Sequence, residues 1–128
     1  MISKRERYSH NSWTHNHADF VHGKYDRNYL NISTEDARSR NLATGQWVKL
    51  ANAQGEIRVQ LHVTDDMMPG AVALSHGWGH QQMERLSVAR KTAGSNVNVL
   101  ARDGLDSLEP ISGMAQLNGI LVEVSADA

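Results

Sequence analysis

The sequence predicts a mainly β domain, a small barrel or sandwich carrying large loops, and three observations predict it. Residues 56–63 (Glu-Ile-Arg-Val-Gln-Leu-His-Val) alternate strictly between polar and apolar, which sets Ile57, Val59, Leu61 and Val63 on one face of a half-buried strand. Other short runs of strand composition are bounded by Gly, Pro, Asn and Asp. Residues 9–28, 76–98 and 101–118 show little periodicity and are rich in Gly, Asn, Ser and His. Long polar connections of about 60 residues in total on so small a core point to loops with a task of their own.

Taken in order, residues 2–8 read as an opening strand and 29–32 as a brief one. Between residues 33 and 41, Ser33 or Thr34 caps a short helix. Its first turn carries Glu35 and Asp36 and its last Arg38 and Arg40, each sign favourable against the helix dipole. Residues 46–51 form a strand, Asn52-Ala53-Gln54-Gly55 turns the chain, and residues 56–63 return antiparallel as a hairpin. The Pro69-Gly70 turn leads to a strand over 71–75, and a last strand covers 119–124.

At 128 residues the chain is the size of one domain. It is 40% hydrophobic and 21% charged, with no apolar run near the roughly 20 residues of a membrane span. The basic start, with Lys4, Arg5 and Arg7, lacks the apolar stretch of a secretory signal, so a cytoplasmic location is expected. Zero cysteine excludes disulfides, thiolate metal sites and cysteine nucleophiles. A net charge of -1 argues against nucleic acid as the partner. Charge is uneven nonetheless: residues 1–30 hold five Lys/Arg, three Asp/Glu and four of the seven histidines.

Three segments carry chemistry. In Ser9-His10-Asn11-Ser12-Trp13-Thr14-His15-Asn16-His17, hydrogen-bonding side chains surround one Trp. Two readings stand side by side: a polar surface loop with Trp13 tucked down as an anchor, and a recognition loop for a large polar ligand with Trp13 as a stacking wall. A metal site on His10, His15, His17, His22 or His80 is a third, although the intervals match no structural zinc pattern. In His76-Gly77-Trp78-Gly79-His80, the glycines let main chain approach a ligand closely, and a strand end of this kind can aim amides at a phosphate. The packing alternative is a tight turn around a buried Trp78. Asn96 and Asn98, two apart, present donor and acceptor groups on one side if the stretch is extended. Phosphate-loop, dinucleotide-fold and nucleophile-elbow motifs are absent.

In order along the chain, these stretches resemble the carboxy-terminal molybdopterin-dinucleotide-binding domain of the dimethyl-sulfoxide-reductase family of molybdenum or tungsten oxidoreductases, above all its formate-dehydrogenase-like members. The resemblance runs from Arg7-Tyr8-Ser9-His10-Asn11-Ser12-Trp13 and His15-Asn16 through Leu30-Asn31-Ile32-Ser33, Gly45-Gln46-Trp47-Val48 and Pro69-Gly70. It closes with His76-Gly77-Trp78-Gly79-His80, Asn96-Val97-Asn98-Val99-Leu100 and Asn118-Gly119-Ile120-Leu121-Val122. It implies a six-stranded double-psi β-barrel with short helices and long loops. It also implies that the chain binds and positions molybdopterin guanine dinucleotide. Ser9, His10, Asn11, Ser12, Trp13 and His15 would line the dinucleotide. His76, Gly77, Trp78, Gly79 and His80 would approach its phosphates or pterin, and Asn96 and Asn98 would hydrogen-bond a pterin edge. The implied partner is a large catalytic domain or subunit that holds the metal ligand, so no turnover is expected of this chain alone. An assembly or docking module without stable cofactor binding is the rival expectation.

Overall fold

The computed structural model describes residues 1–9 and 12–127. Its six strands are β1 (Ile2–Lys4), β2 (Tyr29–Ser33), β3 (Trp47–Ala51), β4 (Glu56–Thr64), β5 (Val72–Ser75) and β6 (Glu123–Ala126), with one α-helix, α1 (Thr34–Ser39). They form a single mixed sheet in the order β1-β5-β2-β4-β3-β6. β1 runs parallel to β5 and β2 parallel to β4, and the remaining pairs are antiparallel. The sheet is not closed by strand pairing, since β1 and β6 are its two margins. The segment ahead of β6 reaches the β1 margin: Gly119 N donates to Met1 O at 3.1 Å, and Ser3 N donates to Asn118 Oδ1 at 2.9 Å.

The alternation in β4 works as expected. Ile57, Val59 and Leu61 are buried while Arg58 and His62 face out, and Val48 and Leu50 of β3 match them across the hairpin. Asn52 Oδ1 secures the turn by accepting from Gln54 N at 2.9 Å. Leu30 and Ile32 of β2, Leu74 of β5, Val124 of β6 and Leu100 complete the core. The core cluster contains only Leu, Ile, Val and Ala among its buried members. Ser33 caps α1, its Oγ accepting from Asp36 N at 3.1 Å. Asn41, at φ 54°, then turns the chain out of the helix in the left-handed region that Asn tolerates.

Two strand expectations are corrected. The opening strand ends at Lys4, because Ser9 N turns back onto Glu6 O at 3.2 Å. The last strand starts at Glu123, four residues later than the apolar run suggests. Residues 118–120 are already engaged with Met1 and Ser3, and pairing with β3 begins only where Glu123 meets Ala51.

Candidate functional site

Opposed residues in a sheet share a face. Asn31 lies opposite His62 on one side and Ala73 on the other, and Tyr29 lies opposite Gln60, which in turn meets Trp47. With Leu30, Ile32, Val59 and Leu61 directed to the core, these polar and aromatic residues belong to the outer face. A cavity of about 400 Å³ opens there, between Tyr29, Asn31 and His62 and the long connection from β1 to β2. That connection contributes Tyr8, Ser9, His15, Phe20, Tyr25 and Arg27, and Trp78 comes in from the end of β5.

Three side-chain amides, Asn28 buried and Asn16 and Gln81 exposed, tie the loops around it. Asn28 donates to Ser75 O at 2.8 Å and Ser95 O at 2.9 Å and accepts from Ser95 N at 2.9 Å. Asn16 Oδ1 accepts from Val88 N and Ala89 N at 2.9 and 3.1 Å. Gln81 Nε2 donates to Thr92 O and Gly94 O at 3.0 and 2.7 Å.

At the centre His15, 1% exposed, stacks on Trp78, 6% exposed, with centroids 4.0 Å apart and planes at 30°. Ser9 Oγ lies 2.7 Å from His15 Nε2, and the His80 ring meets His15 edge-on at 5.7 Å. His80 Nε2 is 2.8 Å from Gly77 O, which makes it the donor nitrogen of that ring. Glycine is required twice here: a Cβ at Gly94 would fall 2.3 Å from Trp78 Cε3, and one at Gly79, φ 97°, would fall 2.5 Å from Asn96 Cβ. His15 Nδ1 and Trp78 Nε1 are buried without a hydrogen-bond partner among the described residues. Burial pushes the His15 imidazole below the ordinary histidine range; the nearby Gly77 carbonyl, bonded to His80, opposes this and the His80 ring adds to it. Hydrogen bonds to Asp26 at 2.6 and 2.9 Å hold Arg27 still more firmly as a cation.

Of the residues singled out in sequence, the structure brings Ser9, His15, Gly77, Trp78, Gly79 and His80 together. His10 and Asn11 lie outside the described residues. Ser12 is exposed and Trp13 is 87% exposed, so the anchor expectation fails for Trp13. His15, two positions on, is the residue that the loop buries. His76 sits beside β1, with Nδ1 3.2 Å from Ser3 Oγ. Asn96 and Asn98 are not in an extended stretch: Asn96 Oδ1 caps the 3₁₀ turn Val97–Leu100 by accepting from Asn98 N at 3.1 Å, leaving Asn98 exposed. No group of three His, Asp or Glu fit to hold a metal occurs among the described residues, and no helix there is long and apolar enough to cross a membrane. Sequence reasoning missed Lys4, Tyr25, Arg27, Tyr29, Asn31 and His62, together with the clamp Asn28. Outward polar positions in strands were the available signal; their neighbours required the parallel pairing of β2 and β4.

The chain is thus a mixed-sheet β module whose strand-end loops enclose an aromatic and cationic cavity. The family model described as "Molydopterin dinucleotide binding domain" matches residues 1–121, and the chain belongs to that family. Membership associates it with the molybdopterin dinucleotide cofactor of molybdenum oxidoreductases. It is 30% identical over 105 residues to the menaquinone reductase, molybdopterin-binding-like subunit of Nitratidesulfovibrio vulgaris, covering 82% of this chain and 14% of that protein. It is 36% identical over 70 residues to dimethyl sulfoxide reductase DmsA of Escherichia coli, covering 54% of this chain and 8% of that one. Acetylene hydratase from Pelobacter acetylenicus shares the fold, with a TM-score of 0.78 at 19% identity over 98% of this chain and 18% of the hydratase. The chain thus spans a small fraction of each of these three proteins.

Proposed function

We propose that this chain binds and positions molybdopterin guanine dinucleotide as the C-terminal domain or small subunit of a formate-dehydrogenase-like molybdenum or tungsten oxidoreductase. The proposal includes the finer fold: the approach of residues 118–120 to β1 closes the curled sheet into a double-psi barrel. The observation that carries it is the His15–Trp78 stack, which joins two separately recognised loops at one cavity. The residues fit such a group. Two buried ring nitrogens lack partners among the described residues, at a cost of about 1–3 kcal/mol each when left unmade. Gly77 and Gly79, at φ 90° and 97°, keep the adjoining main chain free of side chains.

Within this reading the bound cofactor supplies the redox chemistry through its metal, and the chain supplies position. Ser9, His15, Gly77, Trp78, Gly79 and His80 hold the dinucleotide, with His10, Asn11, Ser12, Trp13, His76, Asn96 and Asn98 as further contacts from the same loops. A rigid sheet behind these loops limits their excursions, and burial of His15 and Trp78 keeps water from that wall. Catalysis requires the large partner, so the isolated chain turns over nothing. The test is co-production with its large catalytic part, purification and denaturation: released pterin fluorescence and guanine absorbance, lost on Trp78→Ala, are expected. A folded, cofactor-free complex would instead support the docking reading, which the exposed Trp13 favours.

A further inference from the structure

Among the described residues, half of the large hydrophobic side chains left exposed fall within one segment: Val99, Leu105, Ile111, Met114, Leu117 and Leu121. Apolar residues scattered singly over a surface mean little, whereas a concentration of them marks an interaction site. Ile111 is 95% exposed and Leu105 and Leu121 are 89% exposed, so these three contribute almost nothing to packing within this chain. The segment is firmly built nonetheless. Leu108 and Ala115 form an antiparallel bridge, while Glu109 N donates to Met114 O and Gly113 N to Glu109 O, both at 2.8 Å. The Glu109 carboxylate closes the turn between them, accepting from Ile111 N at 3.2 Å and from Ser112 N and Oγ at 2.6 Å each. Ile111 thus stands at the tip of a hydrogen-bonded hairpin. Its flanks are anchored as well: Ser107 Oγ donates to Gly104 O at 2.7 Å, and Asn118 Oδ1 accepts from Ser3 N. Both flanks meet at a cavity of about 370 Å³, lined by Arg102 and Ser107 before the hairpin, Gln116 and Leu121 after it, and Asn52 and Gln54 of the β3–β4 turn. Hairpin and recess form one surface, which shares no lining residue with the cavity around His15 and Trp78.

We infer that residues 102–121 form the docking surface for the large catalytic part, with Ile111 entering an apolar recess of that partner and Leu105 and Leu121 covered around it. Charge indicates the chemistry of the occupant. Residues 103–128 hold five Asp/Glu and no Lys or Arg. Asp103 and Glu123 are exposed, and Arg102, the cation just ahead of this stretch, is engaged by Asp106 at 2.7 Å. An acidic rim around apolar anchors fits a face where Lys and Arg surround an apolar pocket, and it repels a second copy of itself. Length points the same way, since most of each of the three related proteins lies outside the region that this chain matches. A turn already closed by Glu109 presents its anchor at little ordering cost. The inference rests on the reading that this chain works beside a large catalytic part and goes beyond it by naming the contact face; it does not require bound cofactor.

The experiment co-produces the full 128-residue chain with a tagged large catalytic part on a separate polypeptide and measures capture as salt is raised. Ile111→Ser and Leu121→Ser are each expected to weaken capture about tenfold, the scale of one interface anchor. Asp103→Lys combined with Glu123→Lys should weaken it more at low salt than at high salt. Met68→Ser, at an exposed position on the β4–β5 connection, leaves capture unchanged. Melting temperatures of all these variants should match the parent, because every altered side chain is exposed. Equal capture of the parent, Ile111→Ser and Leu121→Ser would overturn the docking surface, and pterin and guanine released from those complexes would leave the cofactor reading standing. Capture of a parent that releases neither, lost in Ile111→Ser, would support the surface and count against the cofactor reading. Failure to capture the parent would overturn the inference, as would sedimentation of the chain alone as a dimer that Ile111→Ser abolishes, which assigns the surface to a second copy.

Discussion

The two faces of this sheet solve different problems with different side chains. Toward the core, Leu30, Ile32, Val48, Leu50, Val59, Leu61 and Leu74 interdigitate as branched aliphatics, with hydrogen bonding confined to the strand ladders. Toward the outside, Tyr29, Asn31, Gln60 and His62 alternate with them on the same strands and face the loops. Stability is concentrated on one face and, in the proposed reading, recognition on the other, so single substitutions should separate the two.

The largest effect is expected on the core face. Leu61→Ala, at a fully buried position, should cost about 2–5 kcal/mol in chemical denaturation. Any ligand affinity of the variant that remains folded should be unaltered, and a selective loss of affinity would break the division. Gly94→Ala comes next, because its Cβ would meet the Trp78 ring at 2.3 Å. A cost of about 1–3 kcal/mol is expected, with displacement of the Trp78 indole resonance by NMR. A third, smaller effect concerns pH. The His15 imidazole titrates below its unfolded value, so the unfolded chain binds the extra proton first as pH falls below about 6.5. Its contribution is complete above that pH and is lost as pH drops toward the folded value; the melting temperature should decline there less steeply in His15→Gln than in the parent. The smallest effect on stability is expected at Trp13→Ser, within about 0.5 kcal/mol because the ring is exposed. In the docking reading, pull-down of the large catalytic part is where this variant should fail, and unchanged capture would count against that reading.

Local order was readable in the sequence, and non-local order was not. The β3–β4 hairpin and the capped helix α1 follow from alternation over residues 56–63 and from Ser33 before Glu35 and Asp36. The start of β6 did not follow, since Leu121 and Val122 look as strand-like as Val124, and only contacts with residues 1–3 decide among them. The site was half legible. Glycines and histidines around Trp78 mark a special strand end within five residues. Lys4, Arg27, Asn31 and His62 span 59 positions and meet only through the mixed pairing of β1, β2, β4 and β5. Asn96 and Asn98 show a different limit: they sit at a 3₁₀ turn where Asn96 Oδ1 caps Asn98 N, not in the extended stretch that their spacing suggests.

The seam at β1 carries a consequence for the order of assembly. β1 pairs with Val72–Ser75 and is bridged by residues 118–119, so its neighbours on both sides lie at least 68 residues downstream. At about 5–20 residues per second on the ribosome, its amide groups wait several seconds for a partner while the β3–β4 hairpin can already close. The strand of this domain that is made first then waits longest for its partners. Pulse-labelled hydrogen exchange during refolding should show amides of Val48 and Leu50 protected before that of Ser3, and simultaneous protection would refute this sequence of events.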